Sequence, residues 1–193
     1  RTNNAMPPND KDVSAGLPPL PDAAWRQRFR RRLNAWFRRH ARDLPWRKTR
    51  DPYAIWVSEI MLQQTQVVTV IEYYRRFLEA FPTLVELAAA DQQQVLRLWE
   101  GLGYYRRGRQ LHRAARIVVE EHGGEFPHER EAVRRLPGIG RYTAGAILSI
   151  ALDAPEPILE ANTTRLFCRL LAYRSDPTAA SGQRFLWAMA RCV

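Results

Sequence analysis

The chain has 193 residues, 46% hydrophobic and 26% charged, a make-up that fits a soluble, globular domain or two small lobes around a core. No apolar run is long enough to span a bilayer, no signal-peptide pattern precedes the first helical segment, and two cysteines cannot build a four-thiolate site. The net charge of +10 points to a polyanionic partner; the competing explanation is genomic bias, since Lys11 and Lys48 are the only lysines and the other cations are arginines.

Residues 1–22 are polar and proline-rich and read as a disordered leader. The chain starts at Arg1 and its first methionine is Met6, so a fragment or an over-extended frame is expected. Trp25, Phe29, Leu33, Trp36 and Phe37 fall at helical spacing, with arginines opposite. That helix ends at Asp43-Leu44-Pro45-Trp46. Asp51 before Pro52 is a helix start. Val67, Val70, Ile71, Tyr74, Phe77, Leu78 and Phe81 form the next stripe, stopped at Pro82. Thr83 and Asp91 can cap two further helices. Gly101 and Gly103 interrupt before Tyr104. Leu111, Ala115, Val118 and Val119 mark a helix that runs to Gly123-Gly124. Val133 and Leu136 lead into Pro137-Gly138-Ile139-Gly140, followed by a small-residue helix from Thr143 to Ala151. Asp153 to Pro157 is a loop. A helix from about Asn162 to Tyr173 follows, and a last one from Ser181 is still running at Val193. No alternating strand pattern is present, so the expected class is all-α.

Three stretches carry chemistry. In Leu136-Pro137-Gly138-Ile139-Gly140-Arg141-Tyr142-Thr143-Ala144, two glycines permit a tight turn, and the following helix N-terminus can hold a phosphate. A plain helix–helix turn would look similar. In Trp56 to Gln66, Glu59 sits in a largely apolar segment. A desolvated carboxyl has a raised pKa and can donate a proton to a departing base; a Glu on the solvated edge of an amphipathic helix is the alternative. Gln64 can fill the gap left by an extruded base or cap a turn. In Pro157 to Arg165, Glu160 can stabilise a sugar cation, or simply cap the next helix; Asn162 can be an N-cap.

Together these stretches resemble the adenine DNA glycosylase (MutY) branch of the endonuclease III-like superfamily. The resemblance covers about Arg42 to Arg165. It rests on Leu44-Pro45-Trp46-Arg47, Ser58 to Gln66, Trp99-Glu100-Gly101-Leu102-Gly103-Tyr104-Tyr105 and Leu136 to Gly145. It implies a two-lobed, all-α helix-hairpin-helix fold. A six-helix barrel lobe would span 48–152, and 23–47 with 153–193 would form a second helical lobe. It also implies release of adenine opposite 8-oxoguanine or guanine from double-stranded DNA, by a monomer that flips the base out of the stack. A cytoplasmic, nucleoid-associated bacterial setting is expected, with no membrane partner.

The resemblance assigns residues as well. Glu59 matches the acid that protonates adenine N7. Glu160, Tyr142 and Asn162 complete the catalytic set. Arg42, Trp46 and Arg47 match positions near the adenine pocket. Gln63, Gln64 and Thr65 match the wedge, with Gln64 at its tip. Leu102, Gly103 and Tyr104 match the loop that probes the opposite strand. Gly138, Gly140 and Thr143 match the phosphate-binding hairpin. The lyase-competent branch has lysine at position 142 to form a Schiff base; this chain has Tyr142, which implies a monofunctional enzyme.

Three departures stand out. Glu160 replaces the usual aspartate and Ala161 the usual glycine. The 4Fe-4S cluster of the family, bound through C-x6-C-x2-C-x5-C, has no ligands here. Cys168 and Cys192 do not fit that pattern, and the ligands are expected beyond Val193. No metal site is therefore expected within the chain. The C-terminal domain that reads 8-oxoguanine is also not present. The competing readings are a glycosylase for another base, a DNA-binding helix-hairpin-helix module with impaired catalysis, and a helical scaffold.

Overall fold

The computed structural model describes residues 18–193; most of the expected leader lies outside the described residues. Residues 18–22 lead without helix into α1 (Ala23–His40), where Asp22 accepts a hydrogen bond from the Trp25 amide at 2.7 Å. Ten α-helices and one short 3-10 turn, with no strand, make up the described residues, as the periodicity predicts. The chain divides into two compact units. One comprises Ala41–Ile158, and the other joins Leu159–Val193 to the described residues up to His40.

The larger unit begins with the 3-10 turn Pro45–Arg47 and continues through α2 (Pro52–Leu62), α3 (Val67–Ala80), α4 (Leu84–Ala89), α5 (Gln92–Trp99), α6 (Arg106–His122), α7 (Arg130–Arg135) and α8 (Arg141–Leu152). Local chemistry sets three of these starts. Asp51 accepts from the amides of Tyr53 at 3.0 Å and Ala54 at 3.3 Å, with Pro52 already shaped for the first turn. Thr83 with Glu86, and Asp91 with Gln94, form reciprocal capping boxes.

The centre of this unit is α2, which packs against α3, α6 and α8. Its residues from Tyr53 to Ser58, with Ile60 and Met61, are buried, so the helix is apolar nearly all round. Phe77 meets Phe81 and Trp99 edge-on, and Trp56 lies against Phe126. Each such buried side chain contributes roughly 1.5–3 kcal/mol.

α7 is an element the sequence pattern did not separate, because six residues hold too little periodicity to distinguish a helix from a turn. It leads into a type II turn. Leu136 O accepts from the Ile139 amide at 3.2 Å, Pro137 stands at the first central position and Gly138 at the second with φ +81°. Gly140 then precedes α8 in an extended conformation, φ −89°. Of the two glycines expected at positive φ, only Gly138 adopts it.

The larger unit begins at Ala41 and ends at Ile158. Packing holds both ends. Leu44 and Trp46 are buried in the core of the larger unit, and Trp46 meets Tyr74 edge-on at 5.4 Å. At the other end, Arg130 pairs with Glu156, and Pro157 and Ile158 lie directly over Gly145 of α8.

The smaller unit contains α1, α9 (Ala161–Leu170) and α10 (Ala180–Cys192) around Leu159, Phe167, Phe185, Leu186, Trp187 and Met189. Trp25 packs on this cluster and stacks on Phe29 at 5.1 Å. α9 stops before the expected Tyr173. Ala172 turns left-handed at φ +48°, and the Tyr173 amide donates back to Cys168 O at 2.9 Å.

Gly145 gives a direct test of the packing. A Cβ there would stand 2.7 Å from Pro157 O, a backbone atom that cannot rotate away. Gly145→Ala should cost about 1–3 kcal/mol by overpacking, read as a lower denaturation midpoint. An unchanged midpoint would show that the 157–158 segment is not held against α8.

Candidate active site

Glu59 is the one charged residue of α2. It lines a cavity of about 200 Å³ together with Arg42, Trp46, Arg47, Ser58 and Ile150. That volume is below the roughly 300–1,000 Å³ of ordinary ligand clefts and suits a small planar group. Leu44, Leu62 and Val67 add apolar wall. Burial pushes the Glu59 carboxyl from its ordinary 4.5 up to about 7, while a hydrogen bond from the Tyr142 hydroxyl pulls the other way. Near neutrality this group can therefore hold a proton and give it up. Of the two readings open for Glu59, the acid set among apolar groups is the one the geometry supports.

Tyr142 stands in the first turn of α8, just after the hairpin. Trp46 is buried and lines the cavity. Arg42 and Arg47 are exposed, and Arg47 Nη1 donates to Arg42 O at 3.1 Å. The cavity thus brings together four residues drawn from separate stretches: Arg42, Trp46, Arg47 and Glu59.

Beside it lie two loops. Gln63, Gln64 and Thr65 follow α2. Gln64 is exposed with its backbone left-handed at φ +56°, and Gln63 Nε2 reaches Thr143 Oγ1 at 3.5 Å. Leu102, Gly103 and Tyr104 precede α6. Tyr104 is 61% exposed with φ +46°, whereas Leu102 is 5% exposed and belongs to the core. The Leu102 side chain packs with the apolar cluster under the loop. Gly103 has φ +73° and its carbonyl accepts from Trp99 Nε1 at 3.1 Å. Gln63, Gln64, Tyr104 and Tyr105 border one open groove together with Arg106, Arg107 and Arg109.

The hairpin glycines differ in purpose. Gly138 needs its positive φ, and a Cβ there would meet Gln110 at 3.0 Å. Gly140 needs neither, since nothing lies within 4 Å of a Cβ built on it. No side chain caps the start of α8. Thr143 is buried behind the hairpin.

In the smaller unit, Glu160 is the N-cap of α9. Its Oε1 accepts from the Thr163 amide at 2.8 Å and its Oε2 from Asn162 Nδ2 at 3.2 Å. Thr163 Oγ1 answers by accepting from the Glu160 amide at 2.8 Å. Asn162 is not the cap itself; it stands in the first turn, and its Oδ1 accepts from Arg165 at 2.8 Å. The extra methylene of Glu160 relative to aspartate is taken up in this capping box.

Arg107 escaped the sequence reading. It is buried at the start of α6, and its guanidinium donates to carbonyls on both loops and on α2. One signal was available: 107, 111, 114, 115 and 118 form the buried stripe of α6, so this arginine occupies an apolar position.

Among the described residues no group of three or more His, Cys, Asp or Glu could hold a metal. An iron–sulfur cluster needs four thiolates, and Cys168 and Cys192 are the only cysteines, so the residues present do not fit one. No helix among the described residues is long and apolar enough to cross a membrane.

The profile of the HhH-GPD superfamily base excision DNA repair proteins matches residues 57–192. The adenine DNA glycosylase of Rattus norvegicus is 50% identical over 172 residues, covering 84% of this chain and 33% of the relative. That of Homo sapiens is 47% identical over 172 residues, covering 84% and 32%. The chain thus spans about a third of the length of these curated relatives. A solved thermostable thymine-DNA glycosylase is similar with a TM-score of 0.77 and 28% identity, over 88% of this chain and 79% of that one.

The raised pKa of Glu59 is also a statement about stability. The folded state binds this proton more tightly than the unfolded chain, so stability is undiminished below about pH 4.5 and falls as pH rises to about 7. At about 1.4 kcal/mol per pKa unit, the loss is on the order of 3 kcal/mol above pH 7. Glu59→Gln should raise the unfolding free energy by that order at about pH 8 and change it little at about pH 4. Equal effects at both values would mean that the carboxyl is not desolvated.

Proposed function

The chain belongs to the HhH-GPD superfamily of base excision DNA repair proteins, and from that premise we propose that it is the base-releasing core of an adenine DNA glycosylase. The observation that carries this reading is a carboxyl held near pKa 7 in the wall of a small cavity that Trp46 and apolar side chains also line.

In this mechanism the target adenine leaves the stack and enters the cavity beside Trp46. Glu59, protonated, gives its proton to adenine N7. The electrons of the C1′–N9 bond pass to the base, which departs neutral, and the sugar is left as an oxocarbenium-like cation. Tyr142 sets how readily the proton leaves, because its hydroxyl stabilises the carboxylate that Glu59 becomes. Glu160 has the part of the second carboxylate, offsetting the cation by charge, with Asn162 holding its Oε2. A water adds at C1′ and passes a proton to the Glu59 carboxylate left by the first step, and an abasic site results. Tyr142 supplies no amine at the position where a Schiff base would form, which supports hydrolysis without strand cleavage.

The partner is double-stranded DNA with adenine opposite 8-oxoguanine or guanine. Gln64 is assigned to the gap left by the extruded base and Tyr104 to the opposite strand; their exposed, left-handed backbones support those parts. Gly138, Gly140 and the start of α8 are assigned to a phosphate. Ala41–Ile158 carries the acid, wedge and hairpin, and the smaller unit carries Glu160. The similarity to a thymine-DNA glycosylase gives the second reading, the same chemistry on another base.

The test is base release from labelled duplexes, scored by strand breaks before and after alkali, for the parent chain, Glu59→Gln and Glu160→Gln. The expected result is breakage at adenine only after alkali. Glu59→Gln should lower single-turnover release by roughly 10²–10⁴-fold with DNA binding retained. Glu160→Gln keeps a side-chain oxygen for the cap and loses only the charge, so it should also stop turnover without unfolding α9. Near-normal turnover of Glu160→Gln removes it from the mechanism. Release of a base other than adenine selects the second reading.

A further inference from the structure

Arg107 is a buried cation without a carboxylate partner among the described ion pairs, an arrangement that is costly unless neutral groups compensate it. Here six oxygens do so. Nη1 donates to Ile60 O and Met61 O, both at 2.9 Å, and to Gln63 O. Nη2 donates to Thr65 Oγ1 at 3.0 Å and to Leu102 O and Gly103 O, both at 3.4 Å. Two of these carbonyls close the last turn of α2, where the helix dipole favours a cation, and they follow Glu59 directly in sequence. The guanidinium also lies over the rings of Trp99 at 5.6 Å and Tyr104 at 5.4 Å.

The acceptors therefore come from three places: the end of the helix bearing Glu59, the 63–65 loop and the 102–104 loop. Each loop contains a non-glycine residue at positive φ, Gln64 and Tyr104, a backbone state that persists only where its surroundings hold it. Gly108, next in sequence, packs closely on Trp99, whose ring a Cβ there would meet at 3.0 Å.

We propose that Arg107 is a positioning residue, one guanidinium that sets the spacing of Gln64, Tyr104 and the Glu59 helix so that base extrusion and proton donation occur in register. This deepens the glycosylase reading and rests on it. Arg107 touches neither the base nor the sugar; it acts through the backbone of the residues that do. A planar fork with donors on two nitrogens can serve three segments at once, whereas an ammonium is a single point with three donors.

The test compares the full chain with Arg107→Lys, which keeps the charge, and Arg107→Gln, which carries no charge to bury. Leu87→Val serves as a control that loosens the core in α4 without touching either loop. Each protein is assayed at a temperature where circular dichroism shows it folded. Three quantities are read: binding to an ordinary duplex, fluorescence of an emissive base analogue in place of the target adenine, and single-turnover base release. Both Arg107 variants should bind an ordinary duplex within about threefold of the parent, because that binding is carried by phosphate contacts. They should lose the fluorescence rise and slow release on the order of 100-fold, the scale of a one-ångström misplacement. Leu87→Val should keep both. Parent-like fluorescence and release in Arg107→Lys and Arg107→Gln would overturn the assignment, as would an equal loss in Leu87→Val. A parent that neither extrudes the analogue nor releases a base would instead remove the glycosylase reading, and this assignment with it.

Discussion

A proton donor for a neutral leaving base has to keep its proton at neutral pH, and a carboxyl does that only where water is largely removed. In this chain the removal is done by α2. Residues on every side of that helix are buried, and Glu59 is its one charge, placed where the helix wall opens into a small cavity. Burial drives the pKa to about 7, and the Tyr142 hydrogen bond limits the rise. The unfolded chain would hold the same carboxyl at its ordinary value, so the folded protein carries a cost at neutral pH that its core must offset. Much of the remaining architecture serves this one placement: α3, α6 and α8 enclose the helix, and the close contact of Gly145 with Pro157 brings the 157–158 segment against α8.

The same helix also ends at the right place. Its last carbonyls would be exposed acceptors at a break in the chain. Arg107 satisfies two of them and, with the rest of its fork, the loops to either side. The C-terminal end of α2 is thus both the support of the acid and the origin of the loop carrying Gln64. A single buried cation ties together two loops whose exposed residues, Gln64 and Tyr104, lie forty residues apart in the sequence.

What was legible in the sequence was local. Asp51, Thr83 and Asp91 announce helix starts because capping involves neighbours within three residues. Pro137-Gly138 announces its turn for the same reason. The all-α class follows from apolar spacing, and Glu59 was visible as an acid in an apolar run, although the spacing alone left a solvated glutamate open. What was missed depends on contacts distant in sequence. Arg107 was passed over because an arginine on an amphipathic helix is ordinarily on the solvated face; its position on the stripe with Leu111, Ala114 and Val118 was the sign that it is not. Glu160 shows the reverse: its capping role was legible from position, and the structure finds both of its oxygens engaged at the start of α9.

The central claim is the protonation state of one side chain, and it can be observed without DNA. With isotope-labelled glutamate in the chain, the carboxyl carbon resonance that disappears in Glu59→Gln identifies the group, and its chemical shift can be followed against pH. The account predicts a midpoint near 7. A midpoint near the ordinary 4.5 would show that Glu59 is hydrated and already ionised at neutral pH, and the assignment of the acid would fail.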